Sequence, residues 1–245
     1  MRGKHVERVI RALLFLLVIA FFAWAYVSGA FQFILDNPDD LIYLTQQHLK
    51  LVGLSSLFAV IVAVPLGILV TRPRFKKYDW IAINLANIGQ TVPSLAILAL
   101  VMTYLGIGYV TAVFALWLYS LLPILRNTIA GIENINKSII DAGQGMGMTE
   151  SQILWKLELP NALFAILAGI RTSIVINVGT AALAFLIGGG GLGDLIFTGI
   201  SLYDTGIMLA GALPVTVLAI TLDFVLGKLE KWIIPKGLQR NLESL

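Results

Sequence analysis

Five stretches without a charged residue dominate this chain: Ala12–Leu35, Leu51–Thr71, Trp80–Leu125, Thr172–Gly193 and Thr205–Leu222. A helix needs about 20 apolar residues to cross the hydrocarbon core of a bilayer. The third stretch would be roughly 69 Å long as one helix. It therefore divides into two spans, and Gly106-Ile107-Gly108 is the turn chemistry for the division. Six transmembrane helices follow, and with them an all-α polytopic membrane protein. Composition agrees, since 58% of the residues are hydrophobic and only 13% are charged, where a soluble domain carries about 25% charged residues.

The charges that remain orient the spans. Fifteen of the seventeen Lys and Arg fall in the N-terminus, in Thr71–Lys77, in Arg126–Pro160 and in the tail from Lys228. The alternate loops carry Asp36, Asp39, Asp40, Asp194 and Asp204 and no Lys or Arg. The positive-inside rule then places both termini in the cytoplasm. Arg2, Lys4, Arg8 and Arg11 precede an apolar run too long and too bulky for a cleaved signal peptide, so this run reads as a retained first span. Arg171 and Asp223 lie near or within spans. Each reads as an interfacial anchor, or the two pair at the inner mouth.

Several chemistries lack their residues. There is no cysteine, and His5 and His48 are far apart with no second ligand at metal spacing. No metal site and no cofactor is expected. The basic residues accompany no nucleic-acid-binding motif. Gly188–Gly193 lacks the Gly-Lys-Ser/Thr ending of a phosphate loop, so no nucleotide site of the chain's own is expected. Gly188, Gly189, Gly190, Gly191 and Gly193 instead suggest an outer gate or a close-packed re-entrant turn, and the sequence leaves that choice open. Asn84, Asn87 and Thr91 recur on one helical face just before Pro93-Ser94. A polar stripe on a span points to a bundle interior or a solute path, so Asn84, Asn87, Thr91, Pro93 and Ser94 are candidate path residues.

The segment Asp141–Pro160, DAGQGMGMTESQILWKLELP, is polar and punctuated by glycine between two apolar runs. Ser138–Asp141 fits a helix start and Thr149-Glu150-Ser151-Gln152 fits a capping box. Two short helices broken at Gly145–Gly147 are predicted, with Ile153, Leu154 and Leu157 giving the second an apolar stripe. Pro160 would end that helix or start the next span.

The spacing within this segment resembles the EAA loop of ABC importer permeases. Asp141, Ala142, Gly143, Gly147, Leu157, Leu159 and Pro160 occupy the positions of its acid, two small residues, glycine and aliphatic-x-Leu-Pro ending. Asp141 stands where the family has Glu, and Gly143 where it has Ala. The glycine should loosen the first short helix by up to about 1 kcal/mol relative to alanine. Gln90–Ala96, Leu122–Thr128, Ala168–Thr172 and Gly188–Gly193 are similar to the subgroup importing glycine betaine, choline and related osmoprotectants. The likeness covers roughly Leu44–Gly227.

The resemblance implies a type I ABC importer transmembrane domain over residues 41–228. Residues 1–40 would supply the N-terminal tail, first span and outer loop, and residues 229–245 a cytosolic tail. It implies a coupling helix between spans four and five that sits in a groove of a cytosolic ATPase. It further implies two ATPase subunits, a second permease of the same or a sister chain, an extracytoplasmic solute-binding protein, and transport by alternating access in the bacterial inner membrane. The chain itself would be no enzyme. Two other readings stand beside it: a permease for another small solute of the amino acid or thiol-betaine class, and an ion-coupled secondary transporter. The latter needs ionisable residues at mid-membrane, and the apolar runs are nearly free of acids.

Overall fold

The computed structural model describes residues 2–234 and is helical throughout its described elements. The stretch 235–245, the distal part of the expected tail, lies outside the described residues. The order is α1 (Arg2–Val27), α2 (Ala30–Asp36), α3 (Pro38–Val70), α4 (Asp79–Thr91), α5 (Ser94–Leu105), α6 (Tyr109–Glu133), α7 (Lys137–Gly145), α8 (Glu150–Ile153), α9 (Leu159–Ala181), α10 (Gly193–Leu202) and α11 (Thr205–Ile233). A π-helical turn, Leu154–Glu158, joins α8 to α9, and a 3-10 turn, Ala182–Ile187, follows α9. Four helical runs among the described residues are long and apolar enough to cross a membrane: Pro38–Val70, Tyr109–Glu133, Glu150–Ile187 and Thr205–Ile233. The pair 76–89 and 94–105 makes a fifth if its bent halves are one span, and Phe15–Val27 is a shorter apolar helix.

Small residues set the core. A Cβ at Gly67 of α3 would stand 2.7 Å from the Thr128 methyl of α6. One at Gly131 of α6 would stand 2.8 Å from Ala165, and one at Gly169 of α9 would stand 2.5 Å from Asn127 Cβ. Such close approach is how helices associate where lipid removes the hydrophobic drive between them. Leu51, Leu116, Val178 and Ala181 fill the space between α3, α6 and α9, with Leu98 of α5 against them. Outside this core, bulky side chains such as Leu57, Ile61, Ile220 and Phe224 remain exposed. That surface suits acyl chains.

Several polar side chains inside the core bond across helices, although His48 Nδ1, Asn177 Oδ1 and Ser120 Oγ have no partner among the described residues. Asn177 of α9 donates from Nδ2 to Ser55 and Ser56 of α3 at 2.7 and 3.0 Å. Ser173 donates to the Ser120 carbonyl of α6 at 2.8 Å. His48 is fully buried with Nε2 2.9 Å from the Val178 carbonyl, so Nε2 carries the proton. Each of these side chains would otherwise face hydrocarbon unpartnered.

Several boundaries differ from the sequence-based ones. Ala12–Leu35 is not one helix: Ser28 and Gly29, with Gly29 at φ +82°, divide it into α1 and α2. The run from Trp80 bends by 102°. Pro93 forces its neighbour Val92 into extended backbone at ψ 126°. The helix expected from Thr172 begins at Glu150, and Arg126 lies inside α6 rather than in a loop. Charge marked neither end, because a helix continues past the lipid as readily as within it. Pro160 does not break the run. The wider π turn gives room where the proline removes a donor, and Asn161 Nδ2 donates to the Leu157 carbonyl at 2.7 Å.

Gly67→Leu should destabilise the detergent-purified protein by about 1–3 kcal/mol through overpacking, seen as a lowered thermal midpoint. Gly53→Ala, whose Cβ would meet nothing within 4 Å, should leave the midpoint unchanged or raised. Equal effects of the two would contradict the α3–α6 contact.

Candidate functional site

The segment 137–160 folds into a compact helical hairpin. Asn136 caps α7, its Oδ1 accepting from the Ser138 amide at 3.0 Å. Gly147 ends it with φ +75°. The Gly147 amide donates to Gln144 O at 2.9 Å and the Met148 amide to Gly143 O at 3.1 Å. These two bonds make a Schellman motif, which requires the left-handed residue that glycine supplies. The predicted capping box is present: Gln152 N donates to Thr149 Oγ1 at 3.3 Å and Thr149 N to Gln152 Oε1 at 2.9 Å. The second short helix is not a separate element, however. From Glu150 the chain winds without interruption through the π turn into α9.

Gly143 has a packing role that its helix propensity did not suggest. It is buried, and a Cβ there would stand 2.6 Å from Leu157 Cδ1 and 3.6 Å from Ile153 Cγ1. Leu157 therefore rests on the α7 backbone. Asp141, Ala142 and Gly147 are exposed, while Leu159 and Pro160 are half-buried at the start of α9. The seven predicted residues thus divide: Gly143 and Leu157 pack α7 on the π turn, Leu159 and Pro160 begin α9, and Asp141, Ala142 and Gly147 face outward.

Ion pairs tie the neighbouring helices at two places, and only the Arg171–Asp223 pairing was among the sequence-based alternatives. Arg72, just past α3, reaches Glu158 at 2.6 Å with both side chains largely buried. It also donates to Ile68 O and Thr71 Oγ1, so α3 is fixed to the base of α9. Nothing in the sequence relates these two positions. Arg171 forks onto Asp223 of α11, with Nε to Oδ1 at 2.7 Å and Nη2 to Oδ2 at 2.8 Å, and lies 3.5 Å from Glu230. Gly227 makes the room, since a Cβ there would stand 2.8 Å from Arg171 Nη1. Of the two readings of Arg171, the paired one is what the structure contains.

The glycine run is a close-packed turn. Gly188 ends the 3-10 turn at φ +75°, and Gly190 and Gly191 also have positive φ. Gln47 Oε1 accepts from the Gly191 amide at 2.9 Å, and a Cβ at Gly189 would stand 2.6 Å from Ala112. Gly193 abuts the Ala182 carbonyl and starts α10.

A cavity of about 530 Å³ opens between α6 and α9, with Tyr119, Pro123, Arg126, Asn127 and Thr172 in its wall. None of Asn84, Asn87, Thr91, Pro93 or Ser94 lines it. Asn84 and Thr91 are exposed and bond their own helix, at Trp80 O and Ile88 O. Asn87 is half-buried, and its Oδ1 has no partner among the described residues. The sequence signal for the cavity was Pro123 followed by Arg126-Asn127, read instead as a span end.

Reversing Arg72 or Glu158 singly (R72E, E158R) should lower the thermal midpoint by about 2–4 °C. The double exchange should recover most of the loss. Failure of the double exchange to recover stability would show that these side chains do not meet.

Known proteins place this architecture. Residues 63–235 match the family described as binding-protein-dependent transport system inner membrane component. The chain is 47% identical over 209 residues to the choline transport system permease protein OpuBB of Bacillus subtilis (strain 168), covering 85% of this chain and 95% of that protein. It is 48% identical over 207 residues to the glycine betaine/carnitine/choline transport system permease protein OpuCB of the same organism, covering 84% and 94%. It is 45% identical to the osmoprotectant import permease protein OsmY of Salmonella typhimurium, covering 86% and 89%. A chain of the inward-facing MetNI methionine ABC transporter shares the fold, with a TM-score of 0.71 at 23% identity over 80% of this chain and 96% of that one. With the family match spanning most of its length, the chain belongs to the binding-protein-dependent transport system inner membrane components.

Proposed function

We propose that this chain is the membrane-spanning permease subunit of an ATP-driven ABC importer for osmoprotectants of the quaternary amine class, such as glycine betaine, choline or carnitine. The names of relatives at 45–48% identity over most of the chain support the solute class. In this reading six spans cross the bacterial inner membrane with both termini cytoplasmic. A second permease, the same or a sister chain, completes the pore. Two ATPase subunits dock on the hairpins from inside, and a solute-binding protein delivers solute from outside. ATP is hydrolysed by the ATPase subunits.

One observation carries the mechanism: the hairpin is clamped to α9 through Gly143 and Leu157, and α8 runs into α9 without a hinge. A force on Asp141 or Ala142 therefore displaces α9, and with it the helices that α9 grips. Arg72–Glu158 carries the same movement to α3, and Arg171–Asp223 carries it to α11. Closure of the ATPase pair would draw the hairpins together and open the cavity toward the binding protein. The turn at Gly188–Gly193 is assigned to the outer end, where it seals against Gln47 and Ala112. Asn84, Asn87, Thr91, Pro93 and Ser94 are assigned to the path wall at the α4–α5 bend, which becomes enclosed only when the second permease is present.

Gly147→Pro removes the amide that donates to Gln144 and forbids φ +75°. Its expected result is loss of ATP-driven uptake in proteoliposomes containing ATPase and binding protein, with normal membrane insertion. Wild-type uptake in that variant would refute the coupling role.

A further inference from the structure

The geometry points to the cavity at the α6 proline as a binding station for the carboxylate-bearing members of the solute class, with Arg126 as the carboxylate ligand and Tyr119 as the face for the quaternary ammonium. This rests on the reading of the chain as an osmoprotectant permease, and it names residues for which that reading gives no role.

Arg126 lies two turns inside the end of α6, a helix apolar enough to span the membrane. It has no ion-pair or hydrogen-bond partner among the described residues. Arg171, the other arginine held within a spanning helix, is satisfied by two carboxylates. A guanidinium on a spanning helix is costly unless it faces water or an anion; Arg126 is exposed and stands in the wall of a 530 Å³ cavity. That volume is within the range of about 300–1,000 Å³ that holds small molecules.

The cavity exists because of Pro123. Proline has no amide hydrogen, so the Tyr119 carbonyl loses its helical donor and α6 cannot close there. Asn127 Nδ2 turns back to the Pro123 carbonyl at 2.8 Å, which leaves its Oδ1 and second hydrogen for the cavity. Gly169 lets α9 ride against Asn127 and brings the Thr172 hydroxyl into the wall.

The wall therefore offers a planar cationic fork, a hydroxyl and an amide within one small volume. Arg126 is the residue type that matches a carboxylate bidentately. Tyr119 and the Tyr119 carbonyl lie one to two turns away on the same face of α6, where an electron-rich ring and a bare carbonyl suit a methylated ammonium. A zwitterion with both groups spans the two ends. Choline has the ammonium and a hydroxyl but no carboxylate, so it engages only the tyrosine end.

The test is ATP-driven uptake in proteoliposomes holding the permease, ATPase and saturating binding protein, with glycine betaine, carnitine and choline in parallel. Arg126→Gln should cut maximal uptake of glycine betaine and carnitine about ten- to a hundredfold, the loss of a charge-assisted contact. Choline uptake should change by less than about twofold, and binding-protein-stimulated ATP hydrolysis should persist. Arg126→Lys should restore part of the betaine uptake, and Tyr119→Leu should depress all three solutes where Tyr119→Phe does not. Should the wild type carry no choline, the contrast between Arg126→Lys and Arg126→Gln decides. Unchanged betaine uptake in Arg126→Gln overturns the station and shows an arginine that merely reaches the interface. Equal loss of all solutes, or loss of hydrolysis with uptake, overturns it in favour of a structural role. Absence of ATP-driven uptake of any of the three by the wild type is a separate result, against the osmoprotectant reading itself.

Discussion

Backbone-level contact among α3, α6 and α9 is the condition for the rest of this structure. Gly67, Gly131 and Gly169 let these helices meet where larger residues would hold them apart. At that separation Asn177 can reach Ser55 and Ser56, Ser173 can reach the Ser120 carbonyl, and His48 can reach the Val178 carbonyl. Each bond satisfies a group that lipid would not. The three helices form the centre of the packing, with α4 and α5 laid against α6, α11 against α9, and α10 against α11 and the 3-10 turn.

That unit has a handle at one end. The hairpin of α7 and α8 touches it through Leu157 on the Gly143 backbone, and continues into it through a π turn rather than a loop. The glycine that a propensity argument counts as a weakness is the residue that allows this seat. Arg72–Glu158 brings α3 to the same point, and the fork of Arg171 on Asp223 holds α11 beside it. At the opposite end, Gly188–Gly191 folds tightly over Gln47 and His48, so α9 is held at both of its ends.

Much of this was legible in residue order. The charge-free runs marked helix-forming sequence, but not six unbroken spans: Ala12–Leu35 divides at Ser28-Gly29, the run from Trp80 bends at Pro93, and four helical runs among the described residues are long and apolar enough to cross a membrane, or five with the bent pair. The Gly106–Gly108 turn, the Thr149–Gln152 capping box and the helix break at Gly145–Gly147 follow from local chemistry and are present. Helix ends were not legible. Charge reports where side chains meet water, and α6, α9 and α11 run on past that level, so Arg126, Lys156, Arg171 and Asp223 lie on helices. Long-range pairs were mostly hidden. Arg72 and Glu158 carry no mutual signal, whereas Ser173 and Asn177, four residues apart in an apolar run, marked an interior face that could have been read. The polar stripe on α4 lies at the periphery of the single chain, with Asn84 and Thr91 exposed and Asn87 half-buried; in the proposed assembly the second permease would face it.

The central claim is mechanical: the exposed edge of α7 is where ATP-driven force enters the membrane helices. The chain has no cysteine, so Ala142→Cys introduces a single addressable thiol in an otherwise silent background. A reagent that joins this thiol to a nearby lysine amine should link the variant to the ATPase subunit in the assembled complex, and the yield should change when ATP is bound. An impermeant thiol reagent should reach it only from the cytoplasmic side. Labelling from the outside would contradict the account. So would an Ala142→Cys variant that never links to the ATPase while a cysteine placed in the Gly106–Gly108 turn does.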